Sequence, residues 1–140
     1  MERLHAVHRE FDSLGMYGYI WPHTKEIPGV FEMGIFRMYT GDDGQSVIKE
    51  LQQDDPILES LKTCTGCSLQ INEPTEFSDF HPAPRRRWMS MLSGQIDIEL
   101  ADGTVHSFGP NDLRLWEDVT GKGHRTRFPV SSVSISMPLP

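Results

Sequence analysis

Cysteine is nearly missing from this sequence, with only Cys64 and Cys67 among 140 residues. The two form a Cys-Thr-Gly-Cys turn, and no second pair follows at a spacing that would complete a four-ligand zinc site. The turn leads into Ser68-Leu69-Gln70-Ile71, which reads as a strand and not as the helix start that activates a redox dithiol. Structural, reduced thiols are the expectation. Long hydrophobic runs are also lacking. The longest, Leu14 to Trp21, is broken by Gly15 and Gly18 and is too short to span a bilayer, so no membrane partner is expected. No apolar stretch precedes a small-residue cleavage site after Met1, which makes the cytoplasm the expected compartment. Positive charge is scarce: 13 Lys and Arg against 20 Asp and Glu give a net charge of −7. That balance excludes phosphate-backbone binding as the main role, and no nucleic acid partner is expected. Neither a Gly-rich loop ending in Lys-Ser/Thr nor a Gly-x-Ser-x-Gly elbow occurs, so nucleotide binding and serine hydrolysis find no support.

What is present describes one β-rich domain. Residues 2–13 carry Leu4, Val7, His8 and Phe11 at helical spacing and predict a short helix. The stretch from Gly15 to Gly34 is rich in glycine, proline and aromatics and reads as an irregular arm with short strands. Tyr17, Tyr19 and Trp21 in this arm are placed to form a lid. The organisation is thus an N-terminal arm over 1–34 and a β domain over 35–140. A strand is predicted at 35–40, a strand or helical turn at 46–53, and Ile57 to Leu61 is left unassigned. Short strands follow at 68–72, 76–80, 86–92, 95–100, 104–108, 112–117, 124–128 and 131–137, separated by turn residues. Ile96, Ile98 and Leu100 alternate with Gln95, Asp97 and Glu99, the period-two pattern of a strand buried on one face. Many short strands at close spacing predict an all-β sandwich or barrel.

Four runs carry a family resemblance: Phe80-His81-Pro82-Ala83-Pro84-Arg85-Arg86-Arg87-Trp88, Leu92-Ser93-Gly94, Phe108-Gly109-Pro110-Asn111-Asp112, and Glu117-Asp118-Val119-Thr120-Gly121-Lys122-Gly123-His124. With the lead-in Phe36 to Gly44, residues 35–137 resemble a small cupin. The resemblance implies a double-stranded β-helix, the cupin form of the jelly-roll barrel, and a homodimer joined through edge strands. It also implies a metal held by histidines and a glutamate from the first motif and a histidine from the second. Here the glutamate position falls on Arg87, the first motif offers only His81, and the second offers His124. A divalent ion ~5 Å from a guanidinium would meet about 6 kcal/mol of repulsion at an effective dielectric of ~20. No cofactor is therefore expected; a divalent transition metal, if one binds, would use His81, Glu117 and His124.

The expected site lies inside the barrel and takes a small organic molecule. His81 and His124 would move protons, since imidazole exchanges them near neutral pH. Glu117 would act as a base or, like Asp118, orient an imidazole. Arg85 or Arg87 would hold a carboxylate or enolate in a bidentate fork. Met89, Met91 and Asp118 complete the substrate-binding set. Trp88 and Trp116, one step out of phase with Arg87 and Glu117, are expected to face away and pack elsewhere. The predicted activity is a lyase, isomerase or cyclase step on an acidic or carbonyl-containing substrate. Two alternatives stand beside it: a ligand sensor without turnover, and a metal-dependent dioxygenase or sugar-modifying cupin.

Overall fold

The computed structural model describes residues 33–140 and, ahead of them, two short strands. The chain divides into two units, Met1–Glu32 and Met33–Pro140. In the first, β1 (His8–Phe11) pairs antiparallel with β2 (Tyr17–Ile20), placing His8 opposite Ile20 and Phe11 opposite Tyr17. The helix predicted over 2–13 is corrected at His8–Phe11. A neighbouring strand satisfies this backbone, whereas an isolated helix so short is marginal in water. The remainder of that predicted helix, and the lid assigned to the side chains of Tyr17, Tyr19 and Trp21, lie outside the described residues.

The second unit is all-β apart from one 3-10 helix, Pro56–Thr63. Its strands are β3 (Ile35–Thr40), β4 (Ser46–Glu50), β5 (Ser68–Asn72), β6 (Arg87–Ser93), β7 (Ile96–Glu99), β8 (Val105–Phe108), β9 (Leu113–Glu117), β10 (Arg125–Arg127) and β11 (Ser132–Pro138). One sheet runs β4-β3-β9-β6-β11-β5 and the other β10-β7-β8. All pairings are antiparallel except that of β3 with β9, which is parallel and sets Met38 beside Trp116. The strand predicted at 76–80 does not form. The Ser78 and Thr75 amides do bond to the Thr126 and Phe128 carbonyls, both at 2.9 Å. The return bonds go elsewhere: the amides of Thr126 and Phe128 donate to the Ser78 and Thr75 hydroxyls at 3.1 Å. Side-chain oxygens there take the place of strand carbonyls, so no ladder develops.

Strict alternation on the central strands sorts two apolar clusters onto opposite faces of the large sheet. Between the sheets lie Met38, Met89, Met91, Ile96, Ile98, Phe108 and Trp116. On the outer face Ile35, Trp88, Leu115 and Leu139 pack beneath Ile57, Leu58 and Leu61 of the 3-10 helix. Asp55 caps that helix by accepting from the Ile57 amide at 2.9 Å, and Pro56 begins it. Trp88 is fully buried and its indole nitrogen donates to the Ser60 hydroxyl at 2.9 Å, which fixes the helix against the sheet. Edge strand β5 leaves Leu69 and Ile71 exposed, at 61% and 72%.

Candidate functional site

The loop from β9 to β10 builds the centre of the site. Gly123 sits at a φ of 75°, and a Cβ there would run into the His81 carbonyl. Only glycine allows so close an approach. The result is a short two-way backbone bridge: the His81 amide donates to the His124 carbonyl at 2.9 Å, and the His124 amide to the His81 carbonyl at 3.0 Å. The two imidazoles consequently stand 5.0 Å apart, centre to centre. His124 has no exposed surface, and its Nδ1 lies 2.6 Å from Oδ2 of the equally buried Asp118. The Ser46 hydroxyl donates to the same oxygen at 2.6 Å. A carboxylate accepts and does not donate, so Nδ1 carries a proton, and in the neutral imidazole Nε2 presents a lone pair. Among the described residues Nε2 has no hydrogen-bond partner.

Trp116 is the hub around which other groups gather. Its indole meets the His124 ring edge-on at 4.9 Å and 85°. The Arg87 guanidinium lies 5.2 Å from its centre and the Arg114 guanidinium 5.5 Å, with Phe108 a further 5.4 Å contact for Arg114. The expectation that Trp116 faces away from Arg87 is corrected by the register. Arg87 pairs directly with Trp116, and directly opposed residues share a face. Met89 pairs with Arg114 in the same way, and both Met89 and Met91 are buried between the sheets.

Arg114 was not among the residues expected at the site. It is 2% exposed, and none of its three guanidinium nitrogens has a hydrogen-bond partner among the described residues. Burial lowers its pKa to about 10; the attraction of Asp112 opposes this and the repulsion of Arg87 adds to it. Asp112 makes no hydrogen bond to it; its two oxygens accept from the amides of Gly34 at 3.3 Å and Gly109 at 2.8 Å. The Arg87 pKa is also lowered, first by burial and then by nearby Arg85. Beside Arg114 and Trp116 is a void of about 10 Å³, otherwise lined by Phe36, Met38, Ile48, Ile98 and Phe108. That is room for about one water molecule. One signal in the sequence points to Arg114: a basic residue between Leu113 and Leu115, in phase with Trp116 on the inward face of a strand.

The remaining expected residues are placed elsewhere. Glu117 ends β9 on the Leu115 face, where Arg37 Nε meets its Oε2 at 2.6 Å and Arg86 Nη2 its Oε1 at 2.5 Å. Both oxygens are committed to these arginines, so the trio His81, Glu117 and His124 is not assembled. Asp118, one residue on, is the carboxylate that meets an imidazole. Arg85 lies exposed in the bend before β6, outside the strand that carries Arg87, but near enough for its charge to act on Arg87. His81 is half-buried, with Nδ1 2.9 Å from the Asp79 carbonyl oxygen. Among the described residues no three His, Cys, Asp or Glu side chains come together as metal ligands. With Arg87 over the indole beside His124, the residues present do not fit the metal centre that the family resemblance implies.

No family model matches the chain, and no curated protein does. Solved structures do. Protein NMB1881 from Neisseria meningitidis aligns over 53% of this chain and 75% of its own at 13% identity, with a TM-score of 0.41. The imidazole-bound CO-dependent transcription factor CooA from Carboxydothermus hydrogenoformans aligns over 61% of this chain at 10% identity and a TM-score of 0.40. This chain spans 38% of that factor's length. At such scores the likeness identifies neither a fold family nor a function.

Proposed function

We propose that the second unit is a cupin-type double-stranded β-helix whose interior runs acid–base chemistry on a small acidic or carbonyl-containing molecule. One observation carries this reading: His124 is fully buried, oriented through Nδ1 by Asp118, and leaves Nε2 without a partner. A lone pair so placed in a dry interior is what a general base requires. In the proposed step Nε2 removes a proton from the carbon next to a substrate carbonyl. The electron pair of that C–H bond moves onto the carbonyl oxygen, forming an enolate. Arg87 lies 5.2 Å from the centre of the same Trp116 ring that His124 meets and would stabilise the charge as it develops. The imidazolium then returns its proton to the same carbon, to a neighbouring one, or to a departing group, which gives racemisation, isomerisation or elimination. Asp118 stabilises the imidazolium without itself taking the proton. The cupin reading is supported by two facing sheets that share one apolar interior, and by the His81–His124 bridge at its end.

The test is deuterium uptake from D2O by a panel of small oxo acids, ketones and aldehydes, followed by NMR. Wild-type protein should label one class next to its carbonyl, and His124→Gln should not. Binding of a panel member without labelling would identify a ligand-holding module and not an enzyme. Neither binding nor labelling across the panel would refute the reading.

A further inference from the structure

We infer that Arg114 is the anchor of an internal carboxylate subsite, so that the molecule taken into this interior is a small carboxylic acid. The inference rests on the reading of the interior as a small-molecule site and goes beyond it in naming both the anchor and the chemical class. The guanidinium is almost wholly buried between two aromatic rings, and its Nε, Nη1 and Nη2 all lack partners among the described residues. Buried cations are ordinarily paired, because an unpaired one forfeits its hydration. The nearby acid, Asp112, attracts Arg114 but makes no hydrogen bond to it, its oxygens accepting instead from backbone amides. A planar fork with every donor free matches a carboxylate, which accepts two parallel N–H bonds in one plane.

The surroundings restrict what can sit there. Arg87 lies over the same indole and adds a second positive charge, so the occupant is an anion. Phe36, Met38 and Ile48 line the adjoining void, so the rest of the occupant is apolar. The void is only about 10 Å³, so entry requires side chains to move, and Met38 is an unbranched chain suited to that. A compact carboxylate with a short carbon chain meets these conditions; a sugar phosphate does not. Because Arg114 and His124 border the same Trp116 ring, the carboxylate end and the proton-exchanging carbon would lie across one indole from each other.

Sodium acetate serves as the probe, titrated into the full chain at constant ionic strength maintained with a bulky sulfonate salt. Sodium chloride is the parallel arm, and the thermal midpoint is the readout. Acetate should raise the midpoint of wild-type protein. In Arg114→Met the apparent affinity should fall by about 10- to 100-fold, the loss of a charge-assisted contact. Arg114→Lys should keep part of the response, because a point charge cannot reproduce the fork. This variant also decides the matter if Arg114→Met does not fold. An undiminished acetate response in either variant, or none in wild-type protein, overturns the anchor. Equal responses to chloride and acetate would make this an inorganic anion site and overturn the carboxylate class. The His124 reading fails separately, by loss of deuterium uptake in every variant and in wild-type protein. An acetate response retained in His124→Gln supports Arg114 as an anchor independent of the base.

Discussion

Asp118→Asn isolates the part played by the carboxylate behind His124 while keeping its volume. In the native protein Asp118 Oδ2 receives two donors at 2.6 Å, the Ser46 hydroxyl and His124 Nδ1–H. An asparagine can meet the same neighbours in two ways. If its oxygen replaces Oδ2, its NH2 points where Oδ1 now lies, a buried position with no acceptor. An orphaned donor there costs about 1–3 kcal/mol. If the amide is turned, its NH2 faces Nδ1 and the Ser46 hydroxyl, and both can accept. Turning the amide pairs both of its N–H bonds and moves the stranded hydrogens to the rotatable Ser46 hydroxyl and to His124 Nε2, which faces the proposed ligand site, so this arrangement should prevail. It forces the imidazole proton from Nδ1 to Nε2, and the lone pair no longer faces the interior. Two charge-assisted bonds become neutral ones, a loss of about 1–2 kcal/mol in total after the lower cost of burying a neutral group. For a chain of this size that lowers the thermal midpoint by roughly 4–8 °C. The decisive assay is 15N NMR of the histidine side chains. His124 should exchange its Nδ1–H signature for Nε2–H, and deuterium uptake should be lost while the protein stays folded. A variant that keeps the Nδ1–H form and full uptake would refute the reasoning.

Gly123→Ala should cost about 3–5 kcal/mol, combining left-handed strain with the collision against the His81 carbonyl and disruption of the two-way backbone bridge; urea unfolding measures it, and a change under 1 kcal/mol, about the size of an ordinary surface substitution, would show that the loop gives way freely. Asp97 supplies a pH dependence. Burial works to raise its pKa, but hydrogen bonds from Gln95, Ser107 and Arg127 outweigh that and hold it below the ordinary value. A lowered carboxyl pKa stabilises the fold fully above about pH 4 and progressively less as pH falls through the folded value. Asp97→Asn should therefore flatten the acid limb of the stability curve, and an unchanged limb would remove Asp97 from its causes. Glu117→Gln should weaken the pairing with Arg37 and Arg86 on the outer face, yet leave deuterium uptake and the acetate response unaltered; loss of either would return Glu117 to the site.

Several strands were readable from the sequence because local signals agreed. Strand β5 over Ser68–Asn72 and β3 over Ile35–Thr40 have the bounds that their turn residues mark. The 3-10 helix was not readable. Its eight residues include Pro56 and hold together through hydroxyl bonds from Ser60 and Thr63 to backbone carbonyls, which leaves no clear period. At the site, strand parity explains both what was legible and what was not. Arg87 could be assigned to a face, but which residue of β9 stood opposite depended on a register that no local pattern specifies. Taking Glu117 as the partner turned Trp116 outward and hid Arg114. The register instead brings both inward and turns Glu117 out. Asp118 escapes parity altogether, because β9 ends at Glu117 and the chain bends there.

The position of β11 has a consequence for how the protein is made. β5 hydrogen-bonds to β11 and to no other described strand, and β11 is the latest strand in chain order. As the chain leaves the ribosome, β5 must wait for every intervening strand to be synthesised before its partner arrives. Through that interval the apolar side chains of Leu69 and Ile71 sit on an open strand edge, the kind of surface that recruits other nascent chains. Pairings so distant along the chain also form slowly. The yield of folded protein is then set by a race between the arrival of β11 and capture of that edge, whatever the final stability.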